Sequence, residues 1–312
     1  MADQSSTAPA ARATLSSETV KGILYMLLAM MIIIPVMNTG AKYLQDKYPY
    51  GQVLFARYIG HFLCVAGFFA ITHGIRVFRA GNFKIQIIRS LLLFSCTAFY
   101  FYGLQYIELT TAATINFTMP MIVTALAGPV LGEKVGWRRY VAVMVGFCGV
   151  LLVVQPGGDG FHWAMGLILM TAIMYAAYQL LTRAVSGTDS AETSIIYAAL
   201  LGSFFSIAML PGIGNHFIPG LETHTDIILP DNVLDWSIFL MLGCAGGFGH
   251  YFMTKALGLG EASIISMFVY AQLLGALTLS IMIFGDFPGP MVISGAIIIV
   301  GSGIYITLRG NR

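Results

Sequence analysis

Two side chains able to bind or transfer charge stand out in the stretch VLFARYIGHFLCVAGFF, residues 53–69: Arg57 and His61. They are four positions apart, so they share one face of a helix. The guanidinium stays charged and attracts anions such as a carboxylate, whereas the imidazole titrates near neutrality and could carry a proton. Since the residues around them are apolar, the pair is costly unless it faces protein or water.

Each of the two residues also has a plainer interpretation. Arg57 could tie helix ends together through backbone carbonyls, as an anchor of the fold. FARYIG (55–60) resembles YAALLG (197–202) in the second half of the chain, where the corresponding position is Ala199. His61 could donate one hydrogen bond among its aromatic neighbours and stay neutral. The sequence leaves both alternatives open.

The elements that hold these residues are predicted from composition. Of the 312 residues, 57% are hydrophobic and only 10% are charged, and the mean hydropathy is +0.81. A soluble surface cannot be built from this composition. Uncharged runs long enough to cross about 30 Å of hydrocarbon predict an all-α integral membrane protein with ten transmembrane helices. These lie near residues 22–41, 53–72, 90–107, 112–131, 140–155, 161–182, 193–210, 236–256, 262–284 and 288–308.

The basic residues predict how the chain sits in the membrane. Arg57 and Lys255 fall within spans; the other Lys and Arg residues fall in loops, twelve on one side, including Arg89, and two on the other, Lys42 and Lys47. Basic loops stay cytoplasmic, so both termini are predicted to be cytoplasmic, which requires an even number of spans. The loop 211–235, without Lys or Arg, is then extracytoplasmic.

A weak internal repeat divides the chain into halves. LQYIELTTAATI (104–115) aligns with TKALGLGEASII (254–265), and LGEK (131–134) aligns with FGDF (284–287). Five spans per half is an odd number, so the halves must be inverted relative to each other, an architecture typical of secondary transporters. The predicted divisions are a disordered tail 1–20, a first five-helix repeat 21–158, a second 159–308 and a C-terminal tail 309–312.

These features together resemble a known family. The opening PVMNTGAKYL…YPYGQVLFAR (35–57), the LGE at 131–133 and the FGD at 284–286 are similar to those of the drug/metabolite transporter superfamily, EamA type, over residues 20–308. The opening also resembles uptake carriers for S-adenosylmethionine-like solutes, whereas other EamA-type members export amino acids. The resemblance implies a central cavity lined by helices 1, 3, 4, 6, 8 and 9.

Two further spans carry an asparagine close to a proline. Pro35 precedes Asn38 in helix 1, and Asn116 precedes Pro120 in helix 4. A proline frees a backbone carbonyl and kinks the helix, and the amide can bind that carbonyl or a solute. Pro35 and Pro120 are therefore predicted helix kinks, either purely structural or lining a cavity.

The remaining candidates are aromatic, hydroxyl and amine side chains. Tyr100, Tyr175 and Tyr178 could form an amphipathic wall, and Tyr175 and Tyr178 lie too deep for the interfacial aromatic belt, to which Trp163 could equally belong. Lys255 could line a cavity or extend to water at the membrane surface. The predicted substrate-binding or cavity residues are Asn38, Arg57, His61, Tyr100, Asn116, Trp163, Tyr175, Tyr178, Tyr251, Lys255, Ser266 and Tyr270.

Several classes of function are not favoured by the sequence. It contains no phosphate loop, metal-spaced His/Cys set or nucleophile motif, and the net charge of +2 gives no nucleic-acid signature. We therefore expect no metal, no cofactor, no nucleic-acid partner and no enzyme activity. The four cysteines are predicted packing residues. No Asp or Glu lies clearly mid-span, which favours facilitated diffusion or exchange over proton coupling.

The predicted function is secondary transport of a small amphipathic metabolite, an amino acid or related zwitterion, across the cell's inner membrane by alternating access, as an exporter, facilitator or exchanger. The alternative is an uptake carrier for a bulkier S-adenosylmethionine-like or nucleoside-like solute. A membrane scaffold or membrane enzyme is disfavoured, because interior polar residues are spread through both halves without a catalytic cluster. The partners are the solute and the lipid bilayer; a monomer fits the sequence, which fixes no oligomeric state.

Overall fold

The chain forms an all-helical bundle in a computed structural model. The structure describes residues 16–132, 136–155, 158, 160–210 and 227–309, and no strand occurs among them. The prediction of an all-α fold is confirmed for this part of the chain. The first fifteen residues of the predicted tail, residues 211–226 of the predicted loop and residues 310–312 lie outside the described residues.

Helices account for nearly all of the described residues. Numbered in chain order, they are α1 Ser17–Gln45, α2 Tyr50–His73, α3 Phe83–Gly103, α4 Leu109–Leu131, α5 Trp137–Val154, α6 Trp163–Val185, α7 Ala191–Ile207, α8 Val233–Gly258, α9 Ala262–Phe284 and α10 Pro290–Arg309.

Length and composition separate these helices into two groups. Seven of those described (α1, α2, α3, α4, α6, α8 and α9) are long and apolar enough to cross a membrane. The apolar parts of α5, α7 and α10 are shorter, at Tyr140–Val154, Ala191–Ile207 and Pro290–Ser302. The structure thus defines an integral membrane protein with seven candidate spans, and the ten predicted spans depend on these three shorter helices.

Three of the long helices contain irregular turns. α1 has a π-helical turn at Ala29–Ile33, which ends two residues before Pro35. α4 is interrupted at Phe117, three residues before Pro120. α9 contains a 3₁₀ segment at Ser266–Ala271. Such turns leave backbone carbonyls without regular partners, and in a membrane they are tolerated where they face protein or water.

Helix ends follow from local sequence chemistry. The Ser190 hydroxyl accepts a hydrogen bond from the Thr193 backbone N–H at 3.1 Å, and the Asn232 side chain accepts one from the Asp235 N–H at 2.8 Å, as N-cap residues do. At the other end, α4 and α9 both terminate at a left-handed glycine, Gly132 with φ 72° and Gly285 with φ 70°. Only glycine adopts this conformation without strain, so the aligned LGE and FGD segments end their helices in the same way.

The helix contacts follow a regular scheme. α3 packs against α6 and α7, while α8, five helices later, packs against α1 and α2. Likewise α4 packs against α6 and α9 against α1, and α2 packs against α7 and α5 against α10. When each helix is replaced by its counterpart five helices along the chain, as α1 by α6 or α8 by α3, each of these contacts becomes another contact of the same set or is unchanged.

Two ends of the bundle are distinguished by contacts that cross between the halves. At the end where α1 begins, here called the N-terminal face, the Gly81 N–H donates to the Asp189 carboxylate, and the ring of Tyr25 stacks on that of Phe252. At the other end, called the opposite face, salt bridges join Lys47 to Asp235 and Lys42 to Asp286, with N···O distances of 3.2 and 3.1 Å.

Helices α2 and α8 approach each other most closely at a pair of glycines. A methyl group built on Gly243 would lie 2.6 Å from the Cα of Gly60. Next to this pair, the thiols of Cys64 and Cys244 lie with their Sγ atoms 3.1 Å apart, and both are free. Small residues at a membrane helix contact let the backbones pack directly, which here fixes α2, with Arg57, against α8.

We expect Gly243→Ala to lower the unfolding temperature measurably, because the added methyl group must push two backbones apart, at a cost of about 1–3 kcal/mol. Thermal unfolding of the detergent-solubilised protein measures the effect. Gly67→Ala in α2 is the matched control: a methyl group there meets nothing within 4 Å, so stability should stay equal or rise slightly. Equal melting curves for both variants would contradict the proposed contact.

Candidate functional site

A small cavity with several polar side chains lies inside the bundle. It is lined by α2 together with six other helices, α1, α3, α4, α6, α8 and α9. Its volume is about 50 Å³. This is room for very few water molecules, so a metabolite can enter only if the helices move apart. The cavity is lined by Met30, Ile34, Met37, Asn38, Arg57, Cys96, Thr97, Tyr100, Phe101, Asn116, Thr171, Tyr175, His250 and Gln272.

Arg57 contributes the only formal charge among these lining residues. Its Nη2 lies 3.0 Å from the Nε2 of His250, and its Nε lies 3.5 Å from the Met37 sulfur. The guanidinium carbon sits 4.5 Å from the centre of the Tyr58 ring, a cation–π contact. The buried Nη1 has no hydrogen-bond partner among the described residues. Since no carboxylate occurs among the described lining residues, Arg57 presents an uncompensated positive charge and an unpaired hydrogen-bond donor.

The rest of the polar lining consists of neutral groups. The hydroxyl of Tyr100 is buried without a partner in the described structure. The Thr171 hydroxyl lies 3.5 Å from the Asn116 side-chain oxygen, and the side chains of Asn38 and Gln272 also face the cavity. These amides and hydroxyls can both donate and accept hydrogen bonds, so they suit a solute with several polar groups.

Five of the predicted site residues therefore meet around one cavity: Asn38, Arg57, Tyr100, Asn116 and Tyr175. His250 and Gln272 were not among the predicted residues. His250 carries the same indication as His61, a titratable side chain in the middle of an apolar span. Gln272 lies just after the 3₁₀ segment of α9, and nothing in its local sequence indicates the cavity.

His61 lies next to the cavity rather than in its lining. It is fully buried, and its ring stacks on that of His250 with centroids 6.3 Å apart. Neither ring nitrogen of His61 has a hydrogen-bond partner among the described residues. The predicted single hydrogen bond of a neutral histidine is therefore not seen.

Other predicted residues lie away from the cavity. Trp163 is half-exposed and forms an aromatic cluster with Tyr106, at 4.9 Å between ring centroids, as expected of an interfacial belt. Tyr251 donates to a Glu192 oxygen at 2.9 Å, and Lys255 donates to the Tyr251 hydroxyl, also at 2.9 Å, near the N-terminal face.

Two predicted residues of α9 lie in its 3₁₀ segment. Ser266 and Tyr270 are buried, and neither hydroxyl has a partner among the described residues. The Tyr270 ring packs edge-on against that of Phe117, with centroids 5.5 Å apart. The irregular turns of α4 and α9 thus contact each other through these two aromatic rings.

The prediction that placed Arg89 in a loop is wrong. α3 begins at Phe83 rather than near residue 90, so Arg89 lies inside the helix and is fully buried. Burial is tolerated because every donor of the guanidinium finds an acceptor, unlike those of Arg57. These acceptors, at 2.6–3.3 Å, are Thr182 Oγ1, Gln86 Oε1, the Ser194 carbonyl, the Tyr178 hydroxyl and Thr254 Oγ1.

The Arg89 network thus ties α3 to α6, α7 and α8, and it includes Tyr178, a predicted cavity residue. It lies between the central cavity and a second pocket of about 210 Å³ at the N-terminal face, whose lining includes Asp189, Glu192 and Lys255. This network lies on one side of the cavity, and the salt bridges of the opposite face lie on the other.

Tyr48 adds a hydrogen bond to the Lys47–Asp235 salt bridge of the opposite face. Its hydroxyl donates to an Asp235 carboxylate oxygen at 2.7 Å, and both residues are buried. Burial and this hydrogen bond raise the pKa of Tyr48 to about 12. A hydroxyl whose pKa is raised in the folded state stabilises the fold below its ordinary pKa of 10.0 and loses this contribution as the pH rises to about 12.

We expect Tyr48→Phe to lower the unfolding temperature by a few degrees at neutral pH, because the buried Asp235 loses a donor. The difference from the unaltered protein should shrink as the pH rises from 10 to 12. Tyr43→Phe is the control, since Tyr43 bonds only to exposed Lys47, and it should change little. A Tyr48→Phe deficit that is constant with pH would contradict this assignment.

Comparison with known proteins agrees with this architecture. The model of the EamA-like transporter family matches residues 20–155 and 162–309. The chain is 24% identical over 266 residues to the S-adenosylmethionine uptake transporter of Rickettsia bellii (strain RML369-C), covering 85% of this chain and 86% of that one. It is 27% identical over 292 residues to the riboflavin transporter of Vibrio cholerae serotype O1 (strain ATCC 39315 / El Tor Inaba N16961), covering 92% and 93%.

A solved crystal structure shares the fold with a TM-score of 0.64 at 19% identity, over 96% of this chain and 99% of the other. An apolar helical bundle that closes around a polar cavity defines an integral membrane protein with the layout of a solute carrier. The chain belongs to the EamA-like transporter family, within the drug/metabolite transporter superfamily. The resemblance found in the sequence is confirmed.

Proposed function

We propose that this chain is a secondary transporter that moves a small amphipathic metabolite bearing a carboxylate across the cytoplasmic membrane by alternating access. An amino acid or related zwitterion is the first candidate. The observation that carries the proposal is the free Nη1 of Arg57 in a cavity whose described lining holds no carboxylate. A guanidinium with a free donor binds a carboxylate by charge-assisted hydrogen bonds.

The transport mechanism rests on two inverted five-helix repeats, 21–158 and 159–308, with ten spans and both termini cytoplasmic. The contact scheme that is preserved when the halves are exchanged supports this arrangement, as do the matching left-handed glycines. The distribution of basic loop residues supports the orientation. Rocking of one repeat against the other would open the cavity to each side in turn.

A bulkier heteroaromatic or nucleoside-like solute is the second candidate. It is favoured by the relatives, which are named for S-adenosylmethionine and riboflavin, and not for amino acids. Tyr100, Phe101 and Tyr175 supply aromatic surface for such a ring. Because the cavity carries a positive charge, a cation without a carboxylate should bind less well than a neutral, zwitterionic or anionic solute, whereas S-adenosylmethionine has a carboxylate that Arg57 can bind.

An enzyme or a scaffold fits the observations less well. The family and the named relatives are transporters. No group of three or more His, Cys, Asp or Glu that could hold a metal occurs in the described part of the chain. The candidate site instead places neutral amides and hydroxyls around one cation, which suits binding and release rather than bond cleavage.

Counterflow in proteoliposomes tests the proposal. Vesicles loaded with unlabelled solute are mixed with labelled L-phenylalanine, L-tryptophan, adenosine, riboflavin, S-adenosylmethionine or spermidine. We expect exchange of a carboxylate-bearing or neutral aromatic solute, recovered chemically unaltered, and no exchange of spermidine. Spermidine exchange alone would overturn the proposed charge selectivity, recovery of altered solute would indicate an enzyme, and no exchange at all would favour a scaffold.

A further inference from the structure

His250 is a buried titratable group for which the transport cycle described above has no role. It lies in α8 with its ring between α2 and α6, where Nε2 is 3.0 Å from Arg57 Nη2 and Nδ1 is 3.5 Å from the Tyr175 hydroxyl. A guanidinium only donates, so Nε2 must accept and the ring proton must sit on Nδ1. The Tyr175 hydroxyl in turn donates to the Met253 sulfur at 3.0 Å. In this arrangement His250 is therefore neutral.

Several charged and titratable groups surround His250. The positive and titratable groups around it are Arg57 and His61 of α2, Arg89, Cys96 and Tyr100 of α3, and Tyr175 and Tyr178 of α6. α1 and α9 contribute uncharged side chains to this part of the cavity, and the described lining contains no carboxylate. A second positive charge 3.0 Å from the Arg57 guanidinium is strongly disfavoured at such short range.

A solute carboxylate bound to Arg57 changes this balance. Its negative charge cancels that of the guanidinium, so a proton on His250 no longer adds to an uncompensated charge. A protonated Nε2 also donates instead of accepting, which releases Arg57 Nη2 and lets arginine and histidine both donate to the carboxylate. Binding of the carboxylate therefore strengthens binding of the proton. By thermodynamic linkage, binding of the proton strengthens binding of the carboxylate to the same extent.

We propose that His250 binds one proton together with each carboxylate solute held by Arg57, so that the carrier is a proton–carboxylate symporter. The proton is taken from water on the acidic side, bonds to Nε2 of His250, and returns to water when the solute leaves Arg57. This inference rests on the proposed function, in that it requires a solute carboxylate at Arg57.

The first test needs no transported solute. Asn38→Asp places a carboxylate among the cavity residues, and nitrogen NMR of histidine-labelled protein reports the charge of each imidazole, with His250→Gln identifying the signal. We expect His250 to be neutral in the unaltered protein between about pH 5 and pH 8 and charged at the lower end of that range in the Asn38→Asp variant. A neutral His250 in that variant at pH 5 overturns the inference.

The second test measures the driving force in proteoliposomes with labelled L-phenylalanine. An inward proton gradient of one pH unit should raise accumulation by up to about tenfold for one coupled proton. His250→Gln should reduce the ratio of uptake with and without the gradient to one, whatever the residual rate. His73→Gln, at the exposed end of α2, should leave the ratio unchanged. A gradient response that persists in His250→Gln overturns the inference.

The two proposals fail in different ways. If L-phenylalanine and every other carboxylate of the panel show no counterflow, the proposed solute class is wrong, and the histidine spectrum of the Asn38→Asp variant alone decides the role of His250. If the unaltered protein shows counterflow but its uptake does not respond to a proton gradient, the proposed transport function is supported and the proposed proton coupling is overturned.

Discussion

Arg57→Ala is expected to weaken binding of carboxylate-bearing solutes by about 10- to 100-fold, the loss that follows from removing a charge-assisted hydrogen-bond donor. Binding of the matching amide analogues should fall much less, because a neutral amide gains little electrostatic attraction from the positively charged guanidinium. The measurement is competition of counterflow by L-phenylalanine and by L-phenylalaninamide, with the ratio of the two inhibition constants as the readout.

Two further variants separate charge from geometry. Arg57→Lys keeps the charge but cannot hold Met37, His250 and a solute at once, so an intermediate loss is expected. Arg183→Ala removes an arginine that binds only the carbonyls of Leu257 and Gly258 at the N-terminal face, and it should not change the acid-to-amide ratio. Equal losses for acid and amide in Arg57→Ala, or failure of this variant to assemble, would identify Arg57 as an anchor of the fold.

The fold could be predicted largely because membranes impose simple rules. Uncharged runs gave helices whose positions agree with the structure to within a few residues at most ends, and the short LGE and FGD segments correspond to left-handed glycines at the ends of α4 and α9. The start of α3 is the exception. Its first two turns contain Lys84 and Arg89, and counting uncharged residues therefore starts the helix too late.

The candidate site was predicted in part, for a physical reason. A polar residue in an apolar span must face the bundle, so Asn38, Arg57 and Asn116 could be found one at a time. Which of them meet cannot be read from periodicity, because the lipid-facing and buried sides of a membrane helix are both apolar. The Arg57–His250 contact joins positions 193 residues apart, and only the packing of α2 on α8 brings them together.

The same reasoning explains why two buried arginines have different roles. Both are fully buried, and burial alone does not distinguish binding from anchoring. The number of unpaired donors does distinguish them: Arg57 keeps a free Nη1, whereas Arg89 uses its Nε, Nη1 and Nη2 on acceptors from three neighbouring helices, α6, α7 and α8. A satisfied guanidinium has little left to offer a solute, and its removal leaves several buried acceptors and hydroxyls without partners.

Arg89→Ala is therefore expected to be the most destabilising single substitution considered, at about 3–5 kcal/mol, the cost of breaking a buried charge network. Net stabilities of folded proteins are of the order of 5–15 kcal/mol, so much of the protein should fail to assemble, and the remainder should unfold roughly 10 °C lower. Size-exclusion profiles and thermal unfolding in detergent measure both effects.

Arg57→Ala is the matched comparison for Arg89→Ala, since it removes the same side chain from an equally buried site with fewer satisfied donors. The Arg57→Ala variant should assemble well, and its unfolding temperature should fall less than that of Arg89→Ala. Arg89→Gln, which retains a donor for Thr182 or Tyr178, should recover part of the stability. The opposite ranking, with Arg89→Ala stable and Arg57→Ala unassembled, would exchange the two assignments: Arg57 would hold the helices together, and Arg89, beside the pocket of the N-terminal face, would become the candidate for binding solute.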